Sequence, residues 1–190
     1  MPIDLTLITR RYFLPEDGDE AKQEFLGMLH DPQETYIAAY GFTLTQLIDE
    51  IIAADKAGVA VHILLDHLQA TGHSEAPLVK HLHDSLTCGD LTITTAGPGG
   101  HSSSQIWHWK GMVVGSKCWY GSVNFSDSGW NQGNGAQLFD APLWASRFIE
   151  QFKLHRAWAL ANEPQYQVGA KAACAAPAEP SAQVQPSSDS

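Results

Sequence analysis

The chain has 190 residues, 44% of them hydrophobic and 17% charged, with a formal net charge of −10; that is enough for one packed core and marginal for two. No apolar run reaches the roughly eighteen residues that a membrane helix needs. The acidic balance argues against a general nucleic-acid coat protein, whose affinity comes from Lys and Arg displacing counterions, but a local cationic pocket can still hold a phosphate on an acidic body.

In chain order, the opening MPIDLTLITRRYF places its basic pair after the apolar run. That is the reverse of a secretory leader, so a cytoplasmic location is expected. Residues 4–9 alternate as a strand. Residues 19–29 carry Ala21, Phe25 and Met28 or Leu29 at helical spacing, with acids at the start to suit the macrodipole. Residues 35–40 form a short apolar strand. Leu44, Leu47, Ile48, Ile51 and Ile52 then make one face of a helix that stops at Gly58, and residues 59–65 follow as a buried strand. This strand-helix-strand order with tight links predicts parallel pairing through a right-handed crossover.

A helix over 77–86 and a strand over 91–95 come next, followed by AGPGGHSSSQ, which is too polar and Gly-rich for a core. Residues 107–114, 118–124 and 136–139 read as strands. Residues 142–161 form an amphipathic helix with Trp144, Phe148, Phe152 and His155 or Trp158 on one stripe. The expected fold is α/β: one domain over residues 1–162, with a mixed, mostly parallel sheet flanked by helices. Residues 163–190 are Ala, Pro, Ser and Gln with few large apolar side chains, a composition expected to stay disordered. Cys88, Cys118 and Cys174 are odd in number and far apart, so isolated thiols are expected.

The chemistry concentrates in IWHWKGMVVGSKCWYGSVNFSDSGWNQGN, residues 106–134. On a strand His108 and Lys110 share a face while Trp109 points away. An imidazole can attack phosphorus while an ammonium neutralises the nonbridging oxygens. Some ten residues on, Gly121-Ser122-Val123-Asn124 ends the next strand. There Gly121 permits close backbone approach, and Ser122 and Asn124, again two apart, supply hydroxyl and amide donors. One cation and several neutral donors around a histidine suit a phosphorane carrying extra negative charge.

These residues resemble the signature of the phospholipase D superfamily, H-x-K followed downstream by G-S-x-N. The resemblance covers most of residues 4–160. Tyr40-Gly41-Phe42-Thr43 is similar to a Y-x-F-T strand end, Ala57-Gly58-Val59-Ala60-Val61 to an R-G-V-x-V turn, and Leu64-Leu65-Asp66 with Gly72 to L-D-x-x-x-x-x-G. The chain most resembles the small bacterial endonucleases of that superfamily, which carry one H-x-K per chain.

None of the other eight histidines is followed two places on by Lys. The resemblance therefore implies a homodimer in which two copies of His108 serve one site, one as nucleophile forming a phosphohistidine and one as acid. It also implies no cofactor and no metal, with nucleic acid as substrate. A phospholipid or cardiolipin hydrolase, or a catalytically weakened member that binds nucleic acid or a partner, are the alternatives.

Two departures stand out. Gly115 occupies the place of the motif Asp, in a stretch one residue short. Asn131-Gln132-Gly133-Asn134 occupies the region where relatives carry the carboxylate that orients the histidine, which leaves Asn134 in that place. An amide holds imidazole geometry but does not stabilise imidazolium. Asp66, at a predicted strand end, either caps the following loop or helps to build the site. The nine histidines show no metal-ligand spacing: His81 and His83 fall on different helix faces, and His62 and His67 straddle a strand end. Among the tryptophans, Trp107, Trp109 and Trp119 are expected in the core and Trp130 at the edge of the site, against the substrate.

Overall fold

The computed structural model describes residues 7–95 and 106–168. Its frame is a seven-stranded mixed sheet in the order β1-β7-β6-β5-β2-β3-β4. The strands are β1 (Leu7–Leu14), β2 (Thr35–Ala39), β3 (Val61–Asp66), β4 (Asp90–Thr94), β5 (Lys110–Val114), β6 (Lys117–Gly121) and β7 (Asn134–Asp140). The helices are α1 (Gly18–Gly27), α2 (Thr45–Lys56), α3 (His67–Ala70), α4 (Ala76–Ser85) and α5 (Pro142–Asn162).

Side-chain alternation sorts the residues onto two faces. Ile37 and Ala39 of β2, Val61, Ile63 and Leu65 of β3, and Met112 and Val114 of β5 face a large core closed by Phe25, Leu47, Ile48, Ile51 and Leu82 from α1, α2 and α4. Tyr36, Ala38, Leu64 and Val113 face a smaller core closed by Ala145, Phe148 and Phe152 of α5. Helices on both faces bury both sides of the central strands, which is why β2 reads as an unbroken apolar run rather than an alternating one.

The mixed sheet and flanking helices match the expectation, but the balance of pairings does not. Only β2-β3 and β3-β4 are parallel; β2-β5, β5-β6, β6-β7 and β1-β7 are antiparallel. Helical crossovers build the parallel half, as the tight strand-helix-strand links predict. In the other half β5 turns directly into β6: Val114 pairs with Lys117, leaving a two-residue turn of Gly115 and Ser116. Gly115 sits at φ +60, a conformation a side chain disfavours, and a Cβ there would meet Gln33 Oε1 at 2.1 Å. The position that departs from the motif Asp is thus a hairpin glycine.

Three further expectations change. The ordered chain does not stop at residue 162: Glu163 is buried, Pro164–Tyr166 form a short 3-10 turn, and Gln167 lies against the outer edge of β4. Its side-chain amide accepts from Ile93 N–H at 3.0 Å and donates to Ile93 C=O at 2.8 Å, pairing an edge strand as a neighbouring strand would. Glu163 accepts from the backbone N–H and the hydroxyl of Thr95. Local composition hid these contacts because they join residues about seventy apart in sequence. The rest of the expected tail and the Gly-rich stretch 96–105 lie outside the described residues. The first strand runs to Leu14 because it pairs along β7. Cys88 is disulfide-bonded rather than an isolated thiol, whereas Cys118 is a buried free cysteine. Among the described residues no helix is long and apolar enough to cross a membrane.

At the end of the parallel strands away from the motif residues, His62 lies between two carboxylates: Nδ1 is 2.6 Å from Asp90 and Nε2 3.0 Å from Glu34. Burial disfavours the imidazolium, but Asp90 and Glu34 outweigh it and raise the histidine's pKa. The resulting stabilisation is complete below the unfolded imidazole value of about 6.5 and fades as pH climbs through the raised folded value. His62→Gln should therefore destabilise the protein at about pH 5.5 and much less at about pH 9. Urea melts showing an equal loss at both would contradict the ion-paired imidazolium.

Candidate active site

The motif residues meet at the carboxyl end of β2, beside the seam where β2 pairs in parallel with β3 and antiparallel with β5. This end of a parallel segment is where α/β folds commonly place ligands, because the connecting loops diverge there and leave a crevice. Lys110 opens β5 opposite Ala39, the last residue of β2. His108 therefore lies before the strand, not within it, and is exposed, while Lys110 is 4% exposed. Both border one ring: the His108 imidazole is 4.6 Å from the centroid of Tyr40, and Lys110 Nζ is 5.0 Å from the same centroid. The Lys110 ammonium also donates to the His108 carbonyl at 3.2 Å.

Asn124 reaches the same place from the other side. The backbone N–H of Phe125 donates to Gly41 C=O at 3.0 Å, and Phe125 C=O accepts from Thr43 and Leu44. This short bridge, with Phe42 and Phe125 paired, lays Asn124 over Gly41, next to Tyr40. Asn124 Oδ1 is buried with no hydrogen-bond partner. A half-turn of the amide would put its NH2 donors in that position, which is what an anion requires.

Burial lowers the His108 pKa, and the nearby Lys110 ammonium lowers it further against a smaller pull from Asp66. The imidazole is therefore held toward its neutral, nucleophilic form. Burial also brings the Lys110 ammonium down to about 8, with Asp66 opposing. A phosphate bound beside Lys110 would supply the counter-charge that this ammonium lacks.

Asp66 is the residue that assembles these parts. It is 0% exposed. Oδ1 caps α3 by accepting from Leu68 N–H at 2.9 Å and Gln69 N–H at 3.2 Å, and Oδ2 accepts from Trp107 N–H at 2.7 Å. It therefore caps the loop and also ties down the segment that carries His108. Gln69 in turn donates to the Tyr40 hydroxyl at 3.0 Å. Tyr40 and Asp66 carried signals in the sequence, as the ends of two apolar strands, but neither has a local pattern that assigns its role.

Four expected site residues have other work. Trp130 is 2% exposed and packs against Phe25 and Trp119, so it belongs to the core rather than the site edge. A polar, Gly-rich loop suggested exposure, but residues 127–131 fold back as a 3-10 turn over α1. Gly121 is needed for sheet packing, since a Cβ there would meet Gly135 C=O at 2.3 Å. The Ser122 hydroxyl donates to Asn134 Oδ1 at 3.0 Å and accepts from Gly135 N–H at 3.0 Å. The Asn134 amide donates to Gly129 C=O at 2.9 Å. Ser122 and Asn134 thus lock the 122–135 loop, and the Asn134 amide is committed there rather than to His108. The tryptophans expected inside are buried at Trp107 and Trp119, while Trp109 is half-buried and stacks on Trp107 at 4.6 Å. Among the described residues no group of three or more His, Cys, Asp or Glu side chains could hold a metal ion.

Residues 28–155 match the family described as cardiolipin synthase, PLD-like domain. Among solved structures, NucT from Helicobacter pylori superposes with a TM-score of 0.68 at 14% identity, over 78% of this chain and 95% of its own. Nuc, a phospholipase D family member from Salmonella typhimurium, gives 0.65 at 22% identity, over 78% and 93%. Phosphatidylserine synthase from Haemophilus influenzae gives 0.53 at 12% identity, over 72% of this chain but 36% of its own. No curated protein matches the sequence.

The placement of Trp130 is testable by stability. Trp130→Ala should cost about 3–5 kcal/mol, the usual loss for a large buried aromatic. A loss below about 1 kcal/mol in denaturant melts would return Trp130 to the surface.

Proposed function

The chain belongs to the phospholipase D superfamily of phosphodiesterases, and from that membership we propose that it is a metal-independent nuclease working as a homodimer. The observation that carries the proposal is the pairing of an exposed, neutral-leaning His108 with a buried Lys110 around Tyr40. His108 attacks phosphorus, and the bond to the leaving oxygen breaks as a phosphohistidine forms. His108 of the partner subunit gives its proton to that oxygen, then takes one from the water that releases the phosphate from His108. Lys110 and Asn124 hold the nonbridging oxygens through the phosphorane. One H-x-K among these 190 residues is half of this machinery, and in the proposed homodimer a second copy supplies the second imidazole across a two-fold axis.

The extent of the likeness favours a nuclease over a lipid enzyme: the superposition takes in nearly the whole of NucT and of Nuc but about a third of the lipid synthase chain. A chromogenic diester, DNA, RNA and cardiolipin vesicles assayed side by side test the reading. Turnover of a nucleic acid is expected, turnover of vesicles alone would make it a lipid hydrolase, and binding without turnover would make it a degenerate binder.

His108→Ala should abolish hydrolysis, and mixed dimers of His108→Ala with wild type should be inactive. Near-normal turnover by His108→Ala would end the phosphohistidine mechanism. Hydrolysis should also persist in excess chelator, because Lys110 and neutral donors take the place of a divalent ion.

The alkaline limb of the rate should have its midpoint near 8, where Lys110 loses its proton. Lys110→Arg should remove that limb, since the guanidinium stays charged, at the expense of a lower maximal rate. A limb that survives in Lys110→Arg would assign the titration to another group.

A further inference from the structure

Two carboxyl groups lie beneath the site, and the chemistry above uses neither of them. Asp66, at the end of β3, takes three backbone donors: Leu68, Gln69 and Trp107. Glu75, at the start of α4, is 2% exposed. Its carboxyl faces the backbone N–H of Phe42, two residues beyond Tyr40 in the segment that carries that ring. Its Oε1 is buried with no partner.

A buried carboxylate oxygen without a donor is costly, whereas a neutral carboxyl carries a proton there and loses its charge. Two acids in one buried region also oppose each other's ionisation, so one is driven neutral while the better-solvated one keeps its charge. Burial raises the Asp66 carboxyl as it raises that of Glu75, but three backbone N–H groups bonded to Asp66 pull it back toward the anion, whereas Oε1 of Glu75 has no donor.

We propose that Asp66 and Glu75 form a buried acid pair that stands in for the carboxylate absent downstream of Asn124: Asp66 carries the anion that offsets positive charge on His108 and Lys110, and Glu75 holds the proton that leaves this anion in place. The connection to His108 is short, because the Trp107 N–H bonded to Asp66 belongs to the preceding residue. Asp66 favours the charged forms of both His108 and Lys110, and His67 of α3 also faces it. Asn134, which occupies the place of the missing acid, is committed to Ser122 and Gly129. Burial raises the Glu75 carboxyl to about 7, with Asp66 adding to the rise and the Phe42 N–H opposing it. Loss of the Glu75 proton takes the pair from one negative charge to two.

The proposal rests on His108 and Lys110 being the working pair, and its test needs no turnover. NMR titrations of the full chain, labelled at histidine rings and glutamate carboxyls, read it directly. One glutamate should titrate near 7, and its signal should vanish in Glu75→Gln. The His108 ring should show a second inflection at that same pH, lost in Glu75→Gln. Asp66→Asn should lower the midpoint of His108 itself. The proposal is overturned if Glu75 titrates in the ordinary glutamate range, if the second inflection is absent from wild type, or if it persists in Glu75→Gln. Should Asp66→Asn not fold, the comparison of wild type with Glu75→Gln decides alone. Linkage without diester hydrolysis would leave the pair standing and remove only the enzymatic reading; hydrolysis without linkage would remove only the pair.

Discussion

The buried carboxylate of Asp66 joins two parts of the chain that the sheet alone would not bring into register. Its position at the end of β3 is fixed by parallel pairing with β2 and β4, and there it closes the first turn of α3 with one oxygen. The other oxygen takes the backbone N–H of Trp107, forty-one residues later. That bond sets where the segment leading into β5 stands, and so where His108 meets Tyr40. Burial raises the pKa of this carboxyl, three N–H groups and His67 oppose the rise, and the field of the anion favours the cations above it.

The seam of the sheet explains why the motif residues gather at this end. β3 leaves the sheet into α3, and β2 leaves through Tyr40 and Gly41 toward α2. β5 runs the other way, so its first residue stands opposite the last of β2. Ends and starts therefore crowd together, and Lys110 is buried among them while His108, just outside the strand, stays open to solvent. The 40–44 and 124–125 segments complete the wall through backbone bonds, which hold Asn124 without spending its side chain. The Ser122–Asn134 lock does the same for the loop behind it.

The same economy runs along the far edge of the molecule. Among the described residues β4 is an edge strand, and Gln167 satisfies Ile93 with a side chain as a further strand would. Tyr166 packs against His67 with tilted rings whose centroids lie 4.0 Å apart, so the end of the described chain also leans on the helix that Asp66 caps. Edge protection and site assembly thus share one corner of the fold.

The sequence by itself determined the order of elements, the parallel crossover and the pair His108 and Lys110, because side-chain period and motif spacing are local. It also singled out Asn124, but what lays that residue over Gly41 is the bridge between Phe42 and Phe125. What it did not determine depends on who meets whom across the sheet. The antiparallel pairings of β7 and β1 follow from which edges remain free once the centre has formed. The burial of Trp130 follows from a loop folding onto Phe25, and the commitment of Ser122 and Asn134 to each other follows from the β6–β7 register. The roles of Tyr40, Asp66 and Glu75 belong to the same class. Each is an ordinary residue at the end of an element, and only tertiary packing turns one into a shared ring, one into a buried anchor and one into a buried acid with an unpartnered oxygen. Partners twenty to forty residues apart leave no local pattern, so for these groups the tertiary structure alone decided the chemistry.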